Sequence, residues 1–233
     1  FKVSKAAGGY DHNIALKLDG NIIIWGNNGS GQLGNNTRVS ESLPIELVAG
    51  IDQKWIDISA GKYSSYAIKA TGDVDHGTLW SWGSNEFGQL GYDTTDYVYG
   101  DIYANTSTLV RVGTDNTWTG SFTRGYAAVQ TDGSLVAWGY NEYGQVGNGS
   151  TENCFEPTAV KLPSKLSEGE TWMQVVNGAT HSAAITTNNV LWTWGNNDYG
   201  QLGIGDNTSY TLPVKVPGDD WKRVSVGYGY TAV

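Results

Sequence analysis

Cysteine is nearly absent: Cys154 stands alone in 233 residues. No internal disulfide and no cysteine-based metal cluster can form from it. Apolar runs stop at four or five residues, far short of the roughly 20 that cross a bilayer as a helix, so no membrane insertion is expected. Charge is also scarce, at 16% of the chain, and its balance is acidic, with a net charge of −9. No cluster of Lys and Arg occurs, and binding to a phosphate backbone requires one, so nucleic acid is not the expected partner. Proline is rare too, five residues against 32 glycines, which suits many tight turns better than a disordered linker. No secretory leader is visible, and the chain opens on Phe1, as a processed chain or a fragment does.

The signatures of catalysis are missing as well. There is no Gly-x-Ser-x-Gly elbow, phosphate loop or His-Glu-x-x-His helix. Of the three histidines, His12 and His181 fall at equivalent places in a repeat, which marks them as turn residues. His76 lies beside Asp73 and Asp75; a metal site there would need a third ligand, and a solvated hairpin tip is the plainer reading. The expectation is a protein that is not an enzyme and holds no cofactor.

What the sequence has in abundance is repetition. Trp25-Gly26-Asn27-Asn28-Gly29-Ser30-Gly31-Gln32-Leu33-Gly34 returns from Trp82 to Gly91, from Trp138 to Gly147 and from Trp194 to Gly203, with tryptophans 57, 56 and 56 residues apart. A second series, Trp55, Trp118, Trp172 and Trp221, runs between them, so eight of the ten tryptophans sit at two locked positions. Within one period, Trp55-Ile56-Asp57-Ile58-Ser59 alternates apolar and polar residues, as a half-buried strand does. A second strand reads at 65–69 and a third at 79–82. A fourth reads at 43–48, 109–112, 158–162 and 212–216. Asp19-Gly20 and Asp132-Gly133 supply short-hairpin turns. Four antiparallel strands per period without a helix predict an all-β fold, a β-propeller of four-stranded antiparallel blades. The units span 3–49, 50–113, 114–163 and 164–217, with a partial one at 218–233. Both ends supply first and second strands and cannot complete each other, so about four and a half blades are expected, an arc of a seven-bladed propeller closed by further repeats or subunits. The signature tryptophans Trp25, Trp82, Trp138 and Trp194 are expected in the core, in equivalent surroundings. Gln32, Gln89, Gln145 and Gln201 are expected to bond loop backbone.

The Trp-Gly-x-Asn-x-x-Gly-Gln-Leu-Gly stretch resembles the signature of the regulator of chromosome condensation repeats. So do Gly9 to Asn13 and Gly178 to Ser182, which match that family's Gly-x-x-His-Ser/Thr turn. The resemblance implies a seven-bladed propeller. Its members include an exchange factor for a small GTPase, a plant ultraviolet-B photoreceptor and a secreted inhibitor of β-lactamases. Fold alone does not choose among such roles. No Trp-Arg cluster for light sensing and no basic tail for chromatin is present.

Breaks in the repeat are the places to look for a specific function. Between Gly91 and Thr108 the third-to-fourth-strand loop is longer than in the sister units, and it carries Tyr92, Asp93, Asp96, Tyr97, Tyr99, Asp101 and Tyr103 without a positive charge. Tyrosine offers large contact area with few rotors, so these seven residues are the candidate contacts for a protein partner. A second insertion, 72–77, lengthens the hairpin between the second and third strands and should project from the opposite face. Four Asn-x-Ser/Thr sequons, at Asn35, Asn105, Asn148 and Asn207, favour a secreted or surface-exposed setting. The functional expectation is protein binding or scaffolding, with regulation of a small GTPase as the first alternative and carbohydrate binding as the second.

Overall fold

The computed structural model describes residues 1–48, 54–72, 76–92, 105–123, 126–162, 166–227 and 229–233. The first blade is β1 (Val3–Gly8), β2 (His12–Lys17), β3 (Ile22–Gly26) and β4 (Glu41–Glu46). The second holds β5 (Trp55–Ala60), β6 (Ser64–Ala70), β7 (His76–Gly83) and β8 (Thr106–Arg111), and the third β9 (Trp118–Thr123), β10 (Ala127–Gln130), β11 (Leu135–Gly139) and β12 (Cys154–Ala159). In the fourth are β13 (Trp172–Asn177), β14 (His181–Thr186), β15 (Leu191–Gly195) and β16 (Tyr210–Lys215), followed by the short β17 (Ser225–Val226) and β18 (Thr231–Ala232). Each full blade is an antiparallel meander in sequence order, and the described residues contain no helix. The chain is therefore all-β, built of β-propeller blades. The lengthened hairpin adds a link: His76 and Gly77 of β7 pair with Thr119 and Trp118 of β9, which joins the second and third blades into one sheet.

The fourth strand begins earlier than sequence reading placed it, at Glu41, Thr106, Cys154 and Tyr210. In every blade a register irregularity next to the signature glycine lets polar residues pair there, as in Gly26↔Glu41 and Gly195↔Tyr210. Those residues lack the apolar alternation by which strands are recognised.

The core lies between blades. Ile14, Leu16, Ile22, Ile24 and Leu33 of the first blade pack on Trp55, Ile58, Ala67 and Trp82 of the second. Tyr66, Ile68 and Leu79 meet Trp118, Ala128 and Trp138 in the same way, and Val129, Leu135 and Val146 meet Trp172, Val175 and Trp194. First strands stand innermost: β1, β5, β13 and β17 together line a cavity of about 320 Å³, and Lys5 on β1 pairs with the buried Asp57 on β5.

One device repeats at each seam. The indole of Trp82 donates to the Gln32 carbonyl (2.9 Å), that of Trp138 to Gln89 (3.0 Å) and that of Trp194 to Gln145 (2.8 Å). A hydroxyl takes the second lone pair of the same oxygen: Ser65 and Ser182, from the following blade, bond Gln32 and Gln145, whereas Tyr66, from the same blade, bonds Gln89. The indole lies so close to the last signature glycine that a Cβ on Gly34, Gly91 or Gly147 would come within 3.0 Å of Nε1 of Trp82, Trp138 or Trp194. Trp82, Trp138 and Trp194 are fully buried. Trp25 is half-buried, a departure from equivalence with a physical cause: it is not among the core residues of the first seam, and no described residue offers it a glutamine carbonyl.

Candidate protein-binding face

Strand direction alternates, so the turns joining first to second strands and the loops joining third to fourth strands leave the sheets at one end. The pairings Gly8↔Asn13 and Gly26↔Glu41 mark that end in the first blade, and Ala60↔Ser65 and Gly83↔Thr106 in the second. The face is held rigid by the signature. The side-chain oxygens of Gln32, Gln89, Gln145 and Gln201 accept the amides of Ser30, Phe87, Tyr143 and Tyr199 at 2.7–3.0 Å. The Asn28, Asn85, Asn141 and Asn197 oxygens accept the amides of Leu33, Leu90, Val146 and Leu202 at 2.8–3.0 Å. The Nδ2 of Asn28 and Asn141 then reaches carbonyls further along the loop, at Thr37 and Ser150. Satisfying these groups internally leaves the x positions of the signature free to present side chains outward.

From the second blade on, those positions carry Glu86, Phe87, Tyr140, Glu142, Tyr143, Asp198 and Tyr199, and the turns between first and second strands add Tyr10, Asp11 and Tyr63. Tyr10 (74% exposed) meets the half-buried Tyr63 edge to face at 5.9 Å, with the Lys62 ammonium 5.0 Å from the Tyr63 ring centre. Phe87 packs on Tyr140 at 5.2 Å and Tyr140 on Tyr143 at 6.3 Å, and Tyr199 stands 80% exposed. Between them lie the exposed carboxylates of Asp11, Glu86, Glu142 and Asp198. Tyr140 also changes the wiring beneath it. It takes the position where Asn27, Ser84 and Asn196 bond the glutamine Nε2, so Gln145 bonds the Ala179 carbonyl instead.

The insertion leaves this same face after Gly91 and re-enters at Thr106, opposite Gly83. Tyr92 is half-buried; Asp93, Asp96, Tyr97, Tyr99, Asp101 and Tyr103 lie outside the described residues. The belt running through Tyr10, Tyr63, Phe87, Tyr140, Tyr143 and Tyr199 escaped sequence reasoning, although three of its members recur at one signature position.

The remaining candidates are structural in their surroundings. His12 is buried; its Nε2 faces the Ser65 hydroxyl at 3.0 Å, and because that hydroxyl donates to Gln32, the imidazole must donate from Nε2. Burial pushes its pKa down to about 4, against the smaller opposing effects of Asp11 and the Ser64 backbone. His181 holds Thr231 in the same way. His76 sits in β7, Asp73 and Asp75 lie outside the described residues, and among the described residues no cluster of ligands could hold a metal. Burial raises the Cys154 thiol pKa, and its sulfur accepts from Asn148. Three of the sequon amides, Asn35, Asn105 and Asn148, are engaged in loop hydrogen bonds.

Among curated proteins, the human E3 ubiquitin-protein ligase HERC2 is 31% identical to this chain over 225 residues, covering 96% of it and 4% of HERC2. The Arabidopsis thaliana ultraviolet-B receptor UVR8 is 30% identical over 237 residues, covering 98% of the chain and 49% of the receptor. Among solved structures, human WBSCR16 superposes with a TM-score of 0.75 at 24% identity, over 98% of this chain and 56% of that one. Prp20p of Saccharomyces cerevisiae does so at 0.72 and 22%, over 98% and 54%. The chain thus spans about half the length of UVR8 and of these solved chains, and a small part of HERC2. The family model of the regulator of chromosome condensation (RCC1) repeat matches residues 19–68, 76–103, 132–185 and 188–233. On the signature, the inter-blade seams and that match together, the chain belongs to the RCC1 repeat family.

Proposed function

We propose that this chain is a non-catalytic protein-recognition module whose loop face binds a basic protein surface. The observation that carries the reading is the belt of aromatics, with Tyr10, Tyr143 and Tyr199 exposed and Tyr63, Phe87 and Tyr140 half-buried, alongside the exposed Asp11, Glu86, Glu142 and Asp198 on one face. Tyrosine supplies contact area at low entropic cost, and the carboxylates steer a partner of opposite charge. The insertion begins and ends on this face, at Tyr92 and Thr106, and its Tyr92, Tyr97, Tyr99 and Tyr103 are assigned as contacts, with Asp93, Asp96 and Asp101 supplying negative charge. Two solved structures of one relative, yeast Prp20, support a protein partner: one is described with its binding to Gsp1p and histones, and in the other it is bound to Kap60.

The test is binding to purified histones and to a Gsp1-type GTPase loaded with labelled nucleotide. Binding to the basic protein that weakens steeply with salt, and weakens again in a Tyr10→Ala, Tyr63→Ala, Tyr199→Ala variant, is the expected result. Accelerated nucleotide release would favour an exchange factor instead. Glycan binding lost in the same variant would move the belt to carbohydrate recognition.

A further inference from the structure

Proline sets one blade apart. The fourth strands β4, β12 and β16 carry Pro44, Pro157 and Pro213 at the same place, and β8 carries Leu109 there. Pairing shows which way that place faces. The amides of Leu47, Val112, Val160 and Val216 donate to the third-strand carbonyls of Ile22, Leu79, Leu135 and Leu191. Two residues earlier, Ile45, Val110, Thr158 and Val214 stand opposite Ile24, Ser81, Ala137 and Thr193. Bonding and non-bonding residues alternate along an antiparallel strand. Leu109 and Arg111, and their counterparts in the sister blades, therefore turn N–H and C=O away from the sheet. Proline at the first of these places removes an outward donor and blunts the edge; β8 keeps that donor. The Leu109 side chain packs on the core of the first seam, so what β8 offers outside is main chain. The Asn36 amide already takes the Ser107 carbonyl, at 3.0 Å, which leaves the edge open from Thr108 to Arg111.

We propose that β8 accepts an extended acidic segment of a partner protein as an added strand. The segment bonds the main chain of Leu109 and Arg111, a mode in which edge hydrogen bonds give affinity and side chains give specificity. Its charge follows from the two ends of the edge. Arg38 donates to the Asn105 carbonyl at one end, and Arg111, at the other, rests its guanidinium on the Thr114 and Asp115 carbonyls. Both arginines are exposed, and neither pairs with a carboxylate among the described residues. A carboxylate on the added strand opposite Arg111 gains a cross-strand ion pair. Asp93, Asp96 and Asp101 precede β8 in sequence and lie outside the described residues, so the experiment reads the sign of the preference directly. The site does not rest on the reading of the loop face.

The experiment titrates the full isotope-labelled chain with two capped peptides, Thr-Val-Glu-Val-Thr and Thr-Val-Lys-Val-Thr, and follows the amide resonances. The glutamate peptide should shift the Leu109 and Arg111 amides first. It should bind about threefold more tightly than the lysine peptide, as an ion pair in place of a like-charge pair across strands allows. Leu109→Pro should fold, with its thermal midpoint within about 4 °C of the parent, because the sister strands hold proline there, and it should lose the binding. Leu109→Val keeps the donor and should bind as the parent does. Arg111→Glu leaves every main-chain donor in place and should reverse the preference to the lysine peptide, which tests the assignment independently of the proline variant. No shift in β8 at millimolar glutamate peptide would overturn the proposal. So would undiminished binding by a folded Leu109→Pro chain, equal affinity of the parent for both peptides, or an unchanged preference in Arg111→Glu.

Discussion

Trp138 and Trp25 hold the same place in the repeat and differ in their neighbours. Trp138 is 1% exposed with its N–H on Gln89; Trp25 is half-buried. Trp138→Ala should cost about 3–5 kcal/mol, and Trp25→Ala about half of that or less; chemical denaturation of both would show a common cost if the seam were irrelevant. His12 gives a second residue-scale prediction. Its folded pKa, about 4, lies below the ordinary 6.5, so the unfolded chain takes up the proton first. The stabilisation is complete above pH 6.5 and is lost as the pH falls toward 4, by at most roughly 3 kcal/mol. His12→Asn should flatten the stability curve over that window relative to the parent chain. Parallel curves would show that no neutral imidazole is being held at this seam.

At the scale of the element, the signature loop serves two masters. Its Asn and Gln side chains close the loop on itself, and its glutamine carbonyl and last glycine receive the next blade. Gly147→Ala and Gly203→Ala share a positive φ, 77° and 68°, so both suffer the same backbone strain. Only the first drives a Cβ to 2.7 Å from the Trp194 Nε1. Gly147→Ala should therefore be the more damaging by about 1–3 kcal/mol, read as the difference between two denaturation curves; equal costs would remove the indole from the account. Sequence reading found the loop, the blade and the strand count because a signature returning four times is hard to miss. It did not find why the final glycine is glycine, since the indole that forbids a side chain there lies about 50 residues away in the next blade. It placed the fourth strands late for a related reason: their first residues pair across an irregular register and carry no apolar alternation.

For the whole molecule, fold was legible and partner was not. The repeats dictate blades, and blades dictate that the turns after first strands and the loops after third strands share a face. A belt assembled from x positions and first-to-second-strand turns of different blades, such as Phe87 against Tyr140, exists only once blades stand side by side. Reading one repeat at a time hides it, which is why attention fell on the one long insertion. Shortening 92–107 to the length of 204–211 should leave the midpoint within about 2–4 °C, because loop length costs little, and should weaken partner binding severalfold. The most direct measurement of the central claim compares the two faces. The chain is titrated with a histone in three forms: unaltered, carrying Tyr10→Ala, Tyr143→Ala and Tyr199→Ala on the loop face, or carrying Leu18→Ala and Asp132→Ala at the opposite hairpins. Recognition through the loop face predicts a loss of at least tenfold, about 1.4 kcal/mol, in the first variant and unchanged affinity in the second. Equal affinity for all three, or a loss confined to the hairpin variant, would contradict it.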